Sequence, residues 1–122
     1  MSNQGPKPVG PFSHAVRAGD YLFVTGQMPT LPDDPETLVS GGIQEQTKQV
    51  FENLNRVLEG LDSTLERTVF CRVYLVNFQD FDLMNEVYSS YFSKDHLPGR
   101  TCIGVTGLAV GSLVEIDLIA AC

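Results

Sequence analysis

Two residues near the C-terminus, Arg100 and Glu115, have side chains suited to binding and converting a small carboxylate. An arginine guanidinium is planar, permanently charged, and offers a two-pronged donor to a carboxylate. A glutamate can hold a water molecule and accept its proton. The same two residues could instead be solvated side chains, because antiparallel sheets commonly leave one face in water.

The stretch from Pro98 to Cys122 predicts how these side chains are presented. Polar and apolar residues alternate with period two on both sides of a bend near Ala109 and Val110, so the stretch predicts an antiparallel β-hairpin with one buried face. In that register Glu115 lies opposite Gly104 and Asp117 opposite Cys102. The polar face of the hairpin would then carry Arg100, Cys102, Gly104, Glu115 and Asp117.

Along such a hairpin, Arg100 and Glu115 are about 13 Å apart. A site that uses both residues therefore needs a ligand that spans the gap, or a second subunit that closes it.

The remaining elements predict what supports this hairpin. Alternating runs predict strands over residues 12–18, 21–25 and 64–76, with a short strand near 37–40, and helical spacing predicts helices over 43–61 and 81–93. Two amphipathic helices can cover one face of a mostly antiparallel sheet, so we expect a single α+β domain over 1–122, built as a two-layer sandwich. Residues 1–11 are rich in Gly and Pro and are expected to form an extended arm. Self-association would cover the second sheet face.

Composition narrows the classes of function. The net charge of −7 and the isoelectric point near 4.6 disfavour binding to a phosphate backbone, so no nucleic-acid partner is expected. No apolar run approaches the roughly 20 residues that span a bilayer, and the N-terminus lacks the pattern of a secretory signal. Three scattered cysteines support neither a disulfide framework nor a zinc site. A cytoplasmic protein without a membrane partner is the expectation.

Four short motifs in the chain together resemble the pattern of a known protein family. The most specific is Pro-Gly-Arg-Thr-Cys-Ile at 98–103, followed by Leu-Val-Glu-Ile-Asp at 113–117. The others are Gly-Pro-Phe-Ser-His-Ala at 10–15, Phe-Val-Thr-Gly-Gln at 23–27 and Leu-Met-Asn-Glu-Val-Tyr at 83–88. In their order and spacing, from about residue 9 to residue 120, these motifs resemble the Rid (YjgF-type) family of reactive-intermediate imine deaminases.

The resemblance implies a homotrimer of chorismate-mutase-like subunits with a cleft between each pair of neighbours, which would close the gap between Arg100 and Glu115. It implies hydrolysis of enamine or imine intermediates, the 2-imino acids, to 2-oxo acids and ammonia, without a metal or organic cofactor. Two alternatives stay open. One is deamination of a conjugated enamine such as 2-aminomuconate, and the other is non-catalytic binding of a small carboxylate as a regulatory signal. Some relatives carry a ribonuclease label, which the acidic charge argues against.

The resemblance also assigns roles to individual residues. Arg100 would clamp the substrate carboxylate and Glu115 would orient water or transfer a proton, although both could be interfacial ion-pair residues. The remaining substrate-binding candidates are Cys102, Gly26, Phe12 and Asn85. Cys102 is expected to line the pocket rather than act as a nucleophile, Gly26 could be a simple strand terminator, and Asn85 could be a solvated helix residue. Phe12 stands where the family has Tyr, and His14 stands where it has Gln. The loss of the Tyr hydroxyl predicts reduced but measurable activity on small 2-imino acids. His14 is expected to be a structural or surface residue, and the alternative is that it supplies a replacement polar contact.

Overall fold

The structure, a computed structural model, describes residues 13–122. Its helices are α1 (Ile43–Glu59) and α2 (Phe81–Ser90). Its strands are β1 (Ala15–Ala18), β2 (Tyr21–Gln27), β3 (Thr30–Leu31), β4 (Asp34–Leu38), β5 (Thr68–Leu75), β6 (Gly99–Gly104) and β7 (Val114–Ala121). The predicted extended arm and Phe12 lie outside the described residues.

Five strands form the main sheet in the order β1-β2-β7-β5-β6, and β3 pairs with β4 in a separate hairpin. All neighbours in the main sheet are antiparallel except β5 and β6, which run parallel. Both helices pack on one face of the sheet. The predicted α+β sandwich with a mostly antiparallel sheet is therefore confirmed.

The core lies between this sheet and α1. Alternate residues of β7, namely Val114, Ile116, Leu118 and Ala120, are buried because each points toward the helices. The facing stripe of α1 consists of Ile43, Val50, Phe51, Leu54, Val57 and Leu58. In the described part of the chain, neither helix is long and apolar enough to cross a membrane.

The predicted hairpin between β6 and β7 is wrong. Strand β6 pairs with β5, so that Cys71 lies beside Arg100, and β7 is inserted between β2 and β5. The physical reason is that α2 carries the chain back along the sheet between β5 and β6, and a strand that follows such a crossover runs parallel to the strand before it. Residues 105–113 then cross to the other side of β5.

Some predicted elements are longer than the observed ones. Helix α1 ends at Glu59, where Gly60 is the C-cap, and α2 ends at Ser90. Strand β5 begins only at Thr68, because residues 65–67 form a 3-10 turn. These differences lie at element ends, where sequence periodicity is least informative.

A buried asparagine joins α1 to the β3–β4 hairpin. The Asn53 side-chain amide donates to the backbone oxygens of Met28 and Thr30, each at 2.9 Å. Its own carbonyl accepts a hydrogen bond from Gln49 at 3.0 Å. Asn53 is fully buried, so these hydrogen bonds have no competition from bulk water.

We expect Asn53→Ala to lower the free energy of unfolding by about 2–4 kcal/mol, because it removes the side-chain donor to the buried Thr30 carbonyl and to the part-buried Met28 carbonyl. Chemical denaturation followed by circular dichroism measures the change. Asn55→Ala on the same helix is the matched control, since the Asn55 side chain is only partly buried. Equal effects of the two substitutions would contradict the role of these hydrogen bonds.

Candidate functional site

Arg100 extends from edge strand β6 across the inner face of α2. One of its terminal nitrogens, Nη1, donates to Asn85 Oδ1 at 2.6 Å. Its guanidinium carbon lies 4.6 Å from the centre of the Tyr88 ring and 5.6 Å from that of Phe81. Cation–π attraction and the hydrogen bond therefore fix both the position and the tilt of the guanidinium.

The spacing of residues in α2 explains this support. Phe81, Asn85 and Tyr88 are separated by four and three residues, so they lie on one stripe of the helix. Sequence analysis gave Asn85 as a substrate-binding candidate, with a solvated helix position as the alternative. In the structure Asn85 faces Arg100 between the two rings. Sequence analysis did not assign Phe81 or Tyr88 to the site. The signal that could have identified them is their spacing, four residues before and three residues after Asn85.

Cys102 lies two residues beyond Arg100 on the same face of β6 and is half-buried. Burial raises the pKa of its thiol, and the nearby Arg100 charge only partly opposes that shift. A thiol that stays protonated is a poor nucleophile. The raised pKa therefore argues against a nucleophilic role for Cys102, and its pocket-lining role stays a prediction.

Glu115 lies on the opposite face of the sheet from Arg100. Glu115 pairs with Tyr74 of β5, and Arg100 pairs with the buried Cys71 of the same strand. Successive residues of a strand point to alternate faces, so Tyr74 and Cys71, which are three positions apart, lie on opposite faces. The prediction that Arg100, Cys102, Glu115 and Asp117 share one face is therefore wrong. Within one chain, the sheet itself separates the guanidinium from the Glu115 carboxylate.

The backbone of β2 shapes the environment of Glu115. Thr25 and Gly26 form a β-bulge, because two residues of β2 lie between Val24 and Gln27 where β7 has only Asp117. A Cβ atom at Gly26 would overlap the Glu115 carboxylate and lie 2.8 Å from its Cδ. Gly26 therefore lies against Glu115, a contact that the sequence did not predict.

The Glu115 carboxyl group is less acidic than an ordinary glutamate. Burial raises its pKa, and the negative charge of Asp117 raises it further. A carboxyl group whose pKa is shifted toward neutrality is better matched to proton transfer near pH 7 than an ordinary surface glutamate.

Asp117 holds a hydrogen-bonded group next to Glu115. It accepts from Arg72 Nε on one oxygen and from the Tyr74 hydroxyl on the other, each at 2.9 Å. With both carboxylate oxygens engaged by the chain itself, Asp117 has a structural role on this face.

We call the sheet face opposite the helices the open face. It contains a shallow depression of about 620 Å³, and Arg72, Gly26 and Asp117 contribute to its lining. Several large apolar side chains on this face are exposed, namely Val16, Phe23 and Ile103. Val16 and Phe23 are cross-strand neighbours, and adjoining exposed apolar side chains of this kind are typical of a protein interface.

Other candidate groups have structural environments. His14 is buried, its Nδ1 lies 3.0 Å from Gln27 Nε2, and burial lowers its pKa. Burial raises the pKa of the Cys71 thiol to about 11. Among residues 13–122, no three His, Cys, Asp or Glu side chains are grouped closely enough to hold a metal ion.

Comparison with known proteins gives matches over the whole length of the chain. The family model described as endoribonuclease L-PSP matches residues 2–122. A RutC family protein of Pyrococcus abyssi is 43% identical over 122 residues, which cover 98% of this chain and 93% of that protein.

Two solved structures are similar throughout. A protein of unknown function of the conserved Rid family from Yersinia pestis has a TM-score of 0.93 at 32% identity, covering 100% of this chain and 96% of its own. Escherichia coli TdcF, crystallised with bound serine, has a TM-score of 0.88 at 26% identity, with the same coverage of 100% and 96%.

We expect Gly26→Ala to move the Glu115 carboxylate toward solvent and to lower its pKa. The new methyl group meets the flexible end of a side chain, so the carboxylate shifts more easily than the backbone and the fold is retained. Titration of the carboxyl carbon by NMR, with thermal melting as a check on folding, measures both effects.

Gly107→Ala is the control for this change, because a Cβ atom at Gly107 meets no atom within 4 Å. An unchanged Glu115 pKa in the folded Gly26→Ala protein would show that Gly26 does not shape the environment of this carboxyl group.

Proposed function

Since this chain belongs to the Rid (YjgF-type) family, whose model is described as endoribonuclease L-PSP, we propose that it is a hydrolytic deaminase of 2-imino acids and their enamine tautomers. Its products are 2-oxo acids and ammonia. The observation that carries this proposal is the support of Arg100 by Asn85 and two aromatic rings. A guanidinium held in this way keeps donors for a carboxylate, which is the group that every 2-imino acid retains.

Substrate binding follows from these contacts. Asn85 engages one terminal nitrogen of Arg100, which leaves the guanidinium's other donors for the substrate carboxylate. Cys102 lies next along β6, where its backbone can contact the substrate. The serine bound to Escherichia coli TdcF supports a site for a small amino-acid-like carboxylate, since serine carries the same group.

The chemical step needs a water molecule and proton transfers. The Glu115 carboxylate accepts a proton from water as the water oxygen adds to the imine carbon, and the imine nitrogen gains a proton, which gives a carbinolamine. Glu115 then takes the hydroxyl proton of the carbinolamine and passes it to the nitrogen, the carbon–nitrogen bond breaks, and ammonia leaves as the carbonyl of the 2-oxo acid forms. The raised pKa of Glu115 suits it to accept and return protons in this sequence.

The separation of Arg100 and Glu115 on opposite faces supports a homotrimeric assembly with its sites between neighbouring subunits. In a chorismate-mutase-like trimer, the open face of one subunit meets the edge of the next, so that Glu115 of one chain and Arg100 of another line one cleft. The exposed apolar side chains of the open face support the same arrangement, because association removes them from water.

A non-catalytic protein that binds a small carboxylate is the second candidate, and the bound serine in a relative's crystal favours it. A conjugated enamine such as 2-aminomuconate would need the same carboxylate clamp, together with room for its longer conjugated chain and its second carboxylate. The family description names an endoribonuclease. The net charge of −7 and the burial of His14 weigh against RNA cleavage, which usually needs a basic surface and accessible acid–base groups.

We expect the protein to lower the amount of imine that semicarbazide traps beside a threonine or serine dehydratase, and we expect Arg100→Ala to abolish this effect. Arg100→Lys restores little activity, because an ammonium cannot reproduce the two-pronged guanidinium. Arg17→Ala on exposed β1 is the control. Full activity of Arg100→Ala would contradict the role of Arg100 in binding the substrate carboxylate. Binding of 2-oxo acids without turnover would favour a non-catalytic binding protein. Cleavage of a model RNA would favour a ribonuclease.

A mixing experiment tests the shared site. We expect Arg100→Ala and Glu115→Gln to be inactive alone, and activity to return after the two proteins are unfolded and refolded together, because some interfaces then combine an intact Arg100 with an intact Glu115. Light scattering of the unmodified protein should give the mass of three subunits. A mixed sample without activity, or a stable monomer, would refute a site built between subunits.

A further inference from the structure

An aromatic pair extends the Arg100 site along β6. The rings of Phe78 and Phe81 are stacked, with centres 5.1 Å apart and planes 23° from parallel. Phe81 is also one of the two rings beneath the Arg100 guanidinium. The pair therefore begins at the cation and leads away from it.

Strand β6 fixes the direction of this pair. Arg100, Cys102 and Gly104 point to the same face and span about 13 Å along the strand. A Cβ atom at Gly104 would lie 3.6 Å from Phe78 Cδ1, so the Phe78 ring lies beside the far end of this row. The row thus has a charged end at Arg100 and an apolar end at Phe78.

Phe78 is half exposed, with 49% of its surface accessible in the described part of the chain. It follows β5 in the 3-10 turn Phe78–Asp80, and the Asn77 side chain accepts a hydrogen bond from the backbone of Gln79 in that turn. The ring is therefore held in place while much of its surface still contacts water. Covering exposed aromatic surface with an apolar group is favourable.

We propose that Phe78 is a specificity-determining residue, and that the preferred substrates are imines of amino acids with large apolar side chains. This inference rests on the proposed function, because it places the substrate carboxylate on Arg100. With the carboxylate there, a leucine- or phenylalanine-derived side chain extends over the Phe81 ring toward the Phe78 ring, whose centre is 5.1 Å from that of Phe81. The methyl group of an alanine-derived imine is too short to reach it.

A competition between substrates tests this inference. An L-amino acid oxidase with catalase generates imines from alanine, leucine or phenylalanine, and semicarbazide traps whatever the protein does not hydrolyse. We expect kcat/KM for the leucine- and phenylalanine-derived imines to exceed that for the alanine-derived imine by about 10-fold. Phe78→Ala should reduce this ratio about 5-fold by slowing only the larger substrates.

Two further variants separate a specific effect from a general one. Gly104→Val fills the apolar end of the row and should also slow the larger substrates selectively, although it adds atoms instead of removing them. Leu83→Ala removes an equally exposed apolar side chain from α2 and should leave the ratio unchanged.

The outcomes distinguish the inference from the function on which it rests. If no imine is hydrolysed by the unmodified protein, the proposed function fails and this inference fails with it. If all three imines are hydrolysed at equal rates, or if Phe78→Ala slows the alanine-derived imine as much as the larger ones, the proposed function stands and the role of Phe78 is refuted.

Discussion

The parallel pairing of β6 with β5 is the constraint on which the candidate site depends. It places Arg100 beside the buried Cys71 and so directs the guanidinium toward α2. There Asn85 accepts its hydrogen bond while the Phe81 and Tyr88 rings lie against it. An antiparallel partner in the predicted register would have directed the same side chain to the open face, where α2 could not contact it.

The opposite face has its own organisation around β7. Asp117 is engaged by Arg72 and Tyr74, so the charge next to Glu115 is fixed. The bulge in β2 brings Gly26 against the Glu115 carboxylate, and burial raises the pKa of that group. One face thus presents a cation and the other a carboxyl group suited to proton transfer. A cleft that contains both groups requires a second copy of the chain. The proposed assembly would therefore complete the site, and it would also bury the exposed apolar side chains of the open face.

Much of the fold could be predicted because it depends on local periodicity. The apolar stripe of α1 and the alternation in β5 and β7 specify element type and buried face, and the order of these elements predicts an α+β sandwich. The residue types at Arg100 and Glu115, together with the motif resemblance, pointed to carboxylate chemistry. Phe12 lies outside the described residues, so its assigned role stays a prediction.

The sequence by itself determined which residues alternate within each strand, because side-chain direction follows from the backbone repeat. Only the tertiary structure decided which strands are neighbours, because the hydrogen bonds of a strand edge do not depend on side-chain identity and can be satisfied by more than one partner. That decision separated Arg100 from Glu115, turned Asn85 toward the guanidinium and set Gly26 against a carboxylate. These arrangements depend on elements that are distant in sequence. The periodicity within a single element therefore does not predict them.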